Sequence, residues 1–315
     1  MLRTKAIKKI FMTTLSMFII LTVFSLSTVD NSNILRTNLE IEDISGLATD
    51  NIYLLNKDGY LVKKKVLLSS DDVKEKITKA LNYMTSHDEN KYSNELIPPI
   101  PKGVVVKEVI CGDNLLTVDF SKELLDVSLH HEKHMISAIV YTLIEIGNVD
   151  GVCILVEGEK LIKYPNTSEA LPDILDKSIG INKSYDITSR NDISKVVIYY
   201  LDDIDNEFYY VPVTKYINDS RDKIKIIVEE LSSSYIYEDN LMSFLNSKAR
   251  LLEYNIENDV LFLNFNEYLF DSNDKVLEEV IYSISYSVFD NYDVSMVMFE
   301  VNGEEVNHVF RGEVK

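Results

Sequence analysis

The stretch Leu115-Leu116-Thr117-Val118-Asp119-Phe120-Ser121, LLTVDFS, decides the reading of this chain, because it occurs twice. Leu116, Val118 and Phe120 alternate with period two, the mark of a strand with one buried face. Val260 to Asn266, VLFLNFN, repeats the pattern 145 residues later and keeps Leu261, Leu263 and Phe265 in the same register. The offset also carries Leu124 to Leu269, Tyr141 to Tyr286, Val156 to Val301 and Gly158-Glu159 to Gly303-Glu304. Thirteen of the sixty positions from Gly103 to Ile162 are identical without a gap. Upstream the offset drifts to 146 or 147, pairing Tyr53 with Tyr199 and Ile77 with Ile224. An internal repeat of this size implies tandem copies of one folding unit.

Within a copy the periods alternate. Extended segments are expected at Asn51 to Asn56 and Tyr60 to Leu68, and in the copy at Lys195 to Leu201 and Phe208 to Tyr216. Val73, Ile77, Ala80, Leu81 and Met84 recur at helical spacing after Ser70-Asp71-Asp72, a plausible N-cap cluster. A hairpin follows, Val104 to Cys111 and Leu115 to Phe120 around Gly112-Asp113-Asn114, then a helix from His131 to Ile146 and a strand carrying Val152, Ile154 and Val156. The order ββ-α-ββ-α-β gives an α+β class: two tandem homologous α/β-sandwich domains, each an open sheet with two helices, one sheet face covered and the other solvated or docked. The boundaries expected are 1–29 for a signal anchor or signal peptide, 30–50 juxtamembrane, 51–163 for the first domain, 164–194 for a polar linker, 195–308 for the second domain and 309–315 for a tail.

Composition narrows the function. The 315 residues are 46% hydrophobic and 26% charged, with 19 Tyr and 12 Phe, enough apolar surface for real cores. Net charge is -19, which nucleic-acid phosphates and anionic headgroups repel. Arg3, Lys5, Lys8 and Lys9 precede Ile10 to Val29, twenty residues without a charge, long enough to cross a membrane as a helix. The four cations stay in the cytoplasm, so Asp30 onward faces outward with a net charge of -23, tethered, or secreted if Ser25-Leu26-Ser27 is cut.

VDFS, the helix containing IVYTLIEIGNVDGVCI and the closing LVEGE resemble a GerMN domain, the module of GerM-type sporulation and spore germination proteins. The resemblance covers Asn51 to about Leu161 and Lys195 to about Val306; the second copy replaces the Asp and Ser of VDFS with Asn264 and Asn266. Such proteins are commonly lipoproteins, whereas no Cys precedes Cys111 here, so a protein anchor takes the place of a lipid. The resemblance implies a non-enzymatic envelope protein of endospore formation or germination, a fold similar to ring-building modules, no cofactor, and partners among other envelope or sporulation proteins in a ring- or channel-like assembly.

Four groups of residues could carry chemistry. His130 and His134 are one helical turn apart and are weak metal candidates, since His131-Glu132-Lys133-His134 is one residue short of a zincin pattern and the copy lacks histidines there. They support a rival reading as a zinc-dependent envelope hydrolase; a third is a solute-binding regulatory module. Asp119 and Ser121 lack a base and read as turn and cap residues, a role Asn264 and Asn266 also fill. Asp202-Asp203 with Asp205, and Asp271 with Asn273 and Asp274, lack the Gly and Glu of a calcium loop and read as solvated. Face counting puts Cys111 on the packed side and Cys153 on the other, two free thiols. With no catalytic residues assembled, Tyr199, Tyr200, Tyr209 and Tyr210 are the candidate interaction anchors.

Overall fold

The computed structural model describes residues 49–87, 95–233 and 240–313; the expected anchor and all but the end of the juxtamembrane segment lie outside them. Thr49–Lys315 is one compact unit. Its first repeat runs β1 (Asp50–Asn56), β2 (Leu61–Val66), α1 (Val73–Tyr83), β3 (Leu96–Ile97), β4 (Val106–Cys111), β5 (Leu115–Phe120), α2 (Glu132–Gly147), β6 (Gly151–Val156) and β7 (Glu159–Lys160). After β8 (Ser184–Asp186) the second repeat runs β9 (Ile193–Ile204), β10 (Glu207–Asn218), α3 (Lys223–Ser232), β11 (Leu251–Glu257), β12 (Val260–Phe265), α4 (Glu278–Asn291), β13 (Met296–Val301) and β14 (Glu304–Phe310). The class is α+β with tandem units, as the periods imply.

The alternation in LLTVDF and VLFLNF is realised directly. Phe120 and Phe265 are fully buried, with Leu116, Val118, Leu261 and Leu263 beside them at 0% exposure. Caps fix the ends of these strands in matching ways. Asp119 Oδ1 accepts from Gly158 N–H and Asn264 Oδ1 from Gly303 N–H, both at 3.0 Å. Ser121 Oγ accepts from Val105 N–H at 2.9 Å, and Asn266 Oδ1 from Arg250 N–H at 3.0 Å. Asp and Ser have become Asn in the second copy without losing an acceptor, because the bond needs only a side-chain oxygen at that reach. The hairpin turns Glu157-Gly158 and Asn302-Gly303 carry positive φ at both residues, the geometry that matches strand twist. Asp72 caps α1 by accepting from Lys74 N–H, and Asp222 caps α3 by accepting from Ile224 N–H.

The division into sheets departs from one open sheet per repeat. β4-β5-β6-β7 and β11-β12-β13-β14 are separate four-stranded sheets, while the first hairpins leave their own repeats and join β3 and β8 in a shared six-stranded sheet. The cause lies in β1 and β9. Ile52 to Leu55 and Val196 to Leu201 are buried at successive positions, so each strand must be covered on both faces. α2 packs on β1 and α4 on β9. β2 meets β10 antiparallel, with Lys63 opposite Tyr210. That register also sets Leu61 opposite Pro212, which has no N–H to give. Asn182 fills the gap: its Oδ1 accepts from Leu61 N–H, and its Nδ2 donates to the carbonyls of Leu61 and Pro212, each at 2.8 Å.

Asn182 belongs to the segment 164–194, expected from the sequence to be a polar linker between two separate domains. That expectation is corrected here. Tyr164, Leu171, Leu175, Ile179 and Ile181 of this segment are buried, Leu175 bridges Val152 of β6, and a Cβ on Gly151 would lie 2.4 Å from Ile174 Cγ2. Irregular backbone misled the reading because apolar residues dispersed among turns still pack. The described part of the expected 309–315 tail, residues 309–313, is likewise fastened: Val309 is buried, and the Arg311 guanidinium donates to the carbonyls of Phe289, Tyr292 and Val294. Both thiols are free. Cys153 pairs with outward Thr117 and Cys111 with inward Leu116, so they do face opposite ways, but Cys111 is exposed at the turn end of its strand rather than packed.

Phe120→Ala and Phe265→Ala are each expected to cost about 3–5 kcal/mol. Because the repeats share a sheet, either substitution should shift a single transition in denaturant rather than one of two, and residues 51–163 alone should melt below the intact unit. Two well-separated transitions, read by circular dichroism and tyrosine fluorescence together, would contradict the shared-sheet account.

Candidate functional site

The densest set of ionisable groups sits where the repeats meet. Glu145 on α2 and Asp290 on α4 occupy equivalent positions in the two copies, as do Tyr53 on β1 and Tyr199 on β9. Each tyrosine binds the acid of its own repeat: Tyr53 Oη donates to Glu145 Oε1 and Tyr199 Oη to Asp290 Oδ2, both at 2.7 Å. Two lysines tie these pairs together. Lys63 Nζ lies 3.0 Å from Glu145 Oε2, and Lys177, from the connecting segment, reaches Asp290 at 2.7 Å and Glu145 at 3.3 Å. The ammonium of Lys63 stands 4.2 Å from the centre of the Tyr286 ring, that of Lys177 5.2 Å from Tyr141. Asn56 Nδ2 donates to Asp202 Oδ2 at 2.7 Å, again between equivalent positions of β1 and β9. A cleft of about 470 Å³ opens beside the cluster, lined by Lys63, Glu145, Lys177, Tyr199, Tyr286 and Asp290 among others.

Electrostatics fix the charge states. Burial pushes the Glu145 carboxyl up, but Lys63, Lys177 and the Tyr53 hydroxyl more than offset it and hold it at about 2. Burial pulls Lys177 down, and Asp290 and Glu145 outweigh that, leaving it above the ordinary lysine value. Burial, with the carboxylates, raises Tyr53, Tyr141 and Tyr199 well above the ordinary phenol, so they stay protonated as donors. A general base needs a pKa near the working pH and a free lone pair. Glu145 has neither, and the arrangement acts as a clamp.

The candidate anchors belong to this junction and its flanks, which corrects their reading as docking tyrosines. Tyr199, Tyr200 and Tyr209 are buried and Tyr210 is half-buried. Tyr210 packs with its ring 5.0 Å from Tyr286, and Tyr199 stacks on Tyr286 at 5.1 Å. Tyr200 donates to Glu230 at 3.2 Å; Tyr209 donates to Glu207 at 2.6 Å and accepts from Lys64 at 3.0 Å. Asp202, read as solvated, is buried on Asn56. Asp271 does stand in an exposed turn, accepting from Asn273 N–H and Lys275 N–H.

His130 is exposed and His134 half-buried, with His134 Nδ1 3.2 Å from the carbonyl of His130. The carboxylate between them turns inward: Glu132 is buried and accepts from the N–H groups of Asn166 and Thr167. Among the described residues no three His, Cys, Asp or Glu side chains come together to hold a metal. The equivalence of Glu145 with Asp290, a buried acid repeated inside an apolar helix stripe, was the signal in the sequence for the junction; the self-comparison already aligned Tyr53 with Tyr199 and Tyr141 with Tyr286.

Comparison with known proteins follows the same division. A family model described as Germane, sporulation and spore germination, matches residues 51–162 and again 197–307. The spore germination protein GerM of Bacillus subtilis strain 168 is 27% identical over 267 residues, 80% of this chain and 71% of that protein. The solved structure of the tandem GerMN domains of the sporulation protein GerM from Bacillus subtilis matches with a TM-score of 0.74 at 25% identity, covering 82% of this chain and 92% of the other. The two matched ranges leave out 163–196, the segment that supplies Lys177 and Asn182.

Lys63→Ala leaves buried Glu145 with only the longer ion pair to Lys177 and is expected to cost about 3–5 kcal/mol, while the paired change Lys63→Met with Glu145→Leu should recover most of it. Acid tests the same cluster. Glu145 is lowered from 4.5 to about 2 on folding, so its contribution is full above pH 4.5 and disappears as pH falls from 4.5 towards 2. Denaturant titrations across that window should show the loss in the natural chain and a shallower one in the Met/Leu pair.

Proposed function

The chain belongs to the Germane family of sporulation and spore germination, and from that premise we propose that it is a non-enzymatic, membrane-tethered protein that works outside the cytoplasm by binding other envelope or sporulation proteins. One observation carries the reading: the ionisable groups gathered in the cleft between repeats are held by one another, while both four-stranded sheets keep an outer face uncovered by helices. In the first sheet that face carries Ile110, Thr117 and Cys153, and in the second Phe262 and Met298. A pair of sheet faces on a rigid two-repeat body offers area for partners and no poised nucleophile. The tether rests on the basic start and the apolar span Ile10 to Val29. A ring- or channel-like assembly is the partner arrangement that this family relationship favours.

The test separates binding from chemistry. Replacing the buried pair by Lys63→Met with Glu145→Leu removes one of the two acids and one of the two lysines that line the cleft, at similar volume, and leaves Lys177 with Asp290. In sporulating cells producing the chain at its normal level, heat-resistant spore output is expected to stay within about twofold of the natural level. Loss of spore output with a folded, membrane-associated chain would point to chemistry in the cleft. Fractionation with externally added protease should find the chain in the membrane and accessible from outside; a cytoplasmic pool would overturn the tethering.

A further inference from the structure

The repeats share a fold but not a surface. Residues 51–163 hold 14 Lys and Arg against 17 Asp and Glu, a net charge of -3, whereas residues 195–308 hold 8 against 23, a net charge of -15. Part of this difference is concentrated on the outer face of β11-β12-β13-β14. Along β12 and β13 every second residue is buried, and the intervening ones form rows across the sheet. Val260, Met296 and Phe310 make an apolar row. Phe262 and Met298 stand in the next, and Asn264, Glu300 and Glu305 close the face, with Glu253 opposite Asn264 on the edge strand. A groove of about 220 Å³ runs over the junction of these rows, lined by Glu253, Glu257, Phe262 and Glu300 among others.

The first repeat keeps Glu108 where the second has Glu253 but lacks the rest of this set. Thr117 stands where the second has Phe262, Gly151 for Met296, Cys153 for Met298, Leu155 for Glu300 and Gly112 for Glu257. The end of its face is already occupied, since Ile174 of the connecting segment lies over Gly151. In the second repeat the corresponding end presents Met296 and a Phe310 that is 45% exposed. Larger apolar side chains thus stand uncovered where the sister sheet is covered, with carboxylates next to them.

We infer that this face docks a basic segment of a partner protein, a Lys or Arg side chain lying over Phe262 between Glu253, Glu257 and Glu300 while neighbouring apolar residues cover Met296 and Phe310. The occupant follows from charge complementarity: three carboxylates around an aromatic face favour a cation through both ion pairing and the ring quadrupole. A second copy of this chain is disfavoured by like charge, because any self-contact brings two strongly acidic bodies together. The inference rests on the reading of the chain as a binding protein and adds which face binds and what it takes.

A photo-crosslinking p-benzoylphenylalanine placed at Met298 of the full-length chain in sporulating cells tests it, with the same probe at Ile110 on the first sheet as comparison. The expected product is a link from Met298 to a different protein, mapped by mass spectrometry to a segment rich in Lys and Arg. Its yield should fall about tenfold in Glu253→Lys with Glu300→Lys, and about threefold in the neutral Glu253→Gln with Glu300→Gln, at unchanged chain level and thermal stability. A link to a second copy, a link to a segment without cations, or a yield indifferent to the charge changes would each overturn the proposal. Products from Ile110 with none from Met298 would overturn this face and leave the binding reading standing. No product from either position would sink both.

Discussion

A buried carboxylate cannot be left without a cation, and this chain has placed one on each of two equivalent helices. Glu145 and Asp290 sit in the layer where the repeats meet; Glu145 is held by Lys63 and Tyr53 of its own repeat, whereas Asp290 takes its cation from the connecting segment. Lys177 reaches both acids at once, so the connector is held in position by electrostatics as well as by Leu175 and Ile181. Removing any participant leaves a charge in a low-dielectric site, which is why such a cluster specifies one packing even where its net contribution to stability is small. The shared sheet, the stacked tyrosines and the wedge made by Asn182 all depend on the same juxtaposition.

Much of the fold was legible in the sequence, and the limits have physical causes. LLTVDF and VLFLNF alternate because one face of each strand packs on helices, and that is the simplest pattern to read. The caps at Asp119, Ser121, Asn264 and Asn266 were legible because short polar side chains at strand ends have few other uses. The destination of the first hairpins was not. Val196 to Leu201 is a nearly unbroken apolar run, and such a run reports burial on both faces without naming the neighbour. Tyr199, Tyr200, Tyr209 and Tyr210 were misplaced for the same reason, since a tyrosine suits a docking surface and a buried junction equally well so long as its hydroxyl finds a partner. The histidines at 130 and 134 illustrate the converse: spacing set them on one turn, but a ligand set needs a third group, and the nearest carboxylate is engaged with backbone N–H groups.

The two copies have divided their tasks along the line between frame and surface. Inward positions are held in both, as at Phe120 and Phe265 or Tyr141 and Tyr286, because a packed interior tolerates little change in volume. Outward positions have diverged in charge and size, from Thr117 to Phe262 and from Leu155 to Glu300. Duplication has thereby produced one body with two chemically distinct sides, one nearly neutral and the other strongly acidic.

The antiparallel meeting of β2 with β10, strands that correspond to one another in the two copies, is the relation a local two-fold axis generates. Such a relation is isologous and therefore closed. Each first hairpin turns the edge of β2 or β10 towards its counterpart, so the pair is complete at two along that edge and a third tandem copy would find no partner strand there. The molecule is in this sense a covalently joined dimer, whose halves meet at an effective concentration set by the connecting segment and independent of how much protein is present, and have been free to lose their likeness everywhere except along the axis that joins them.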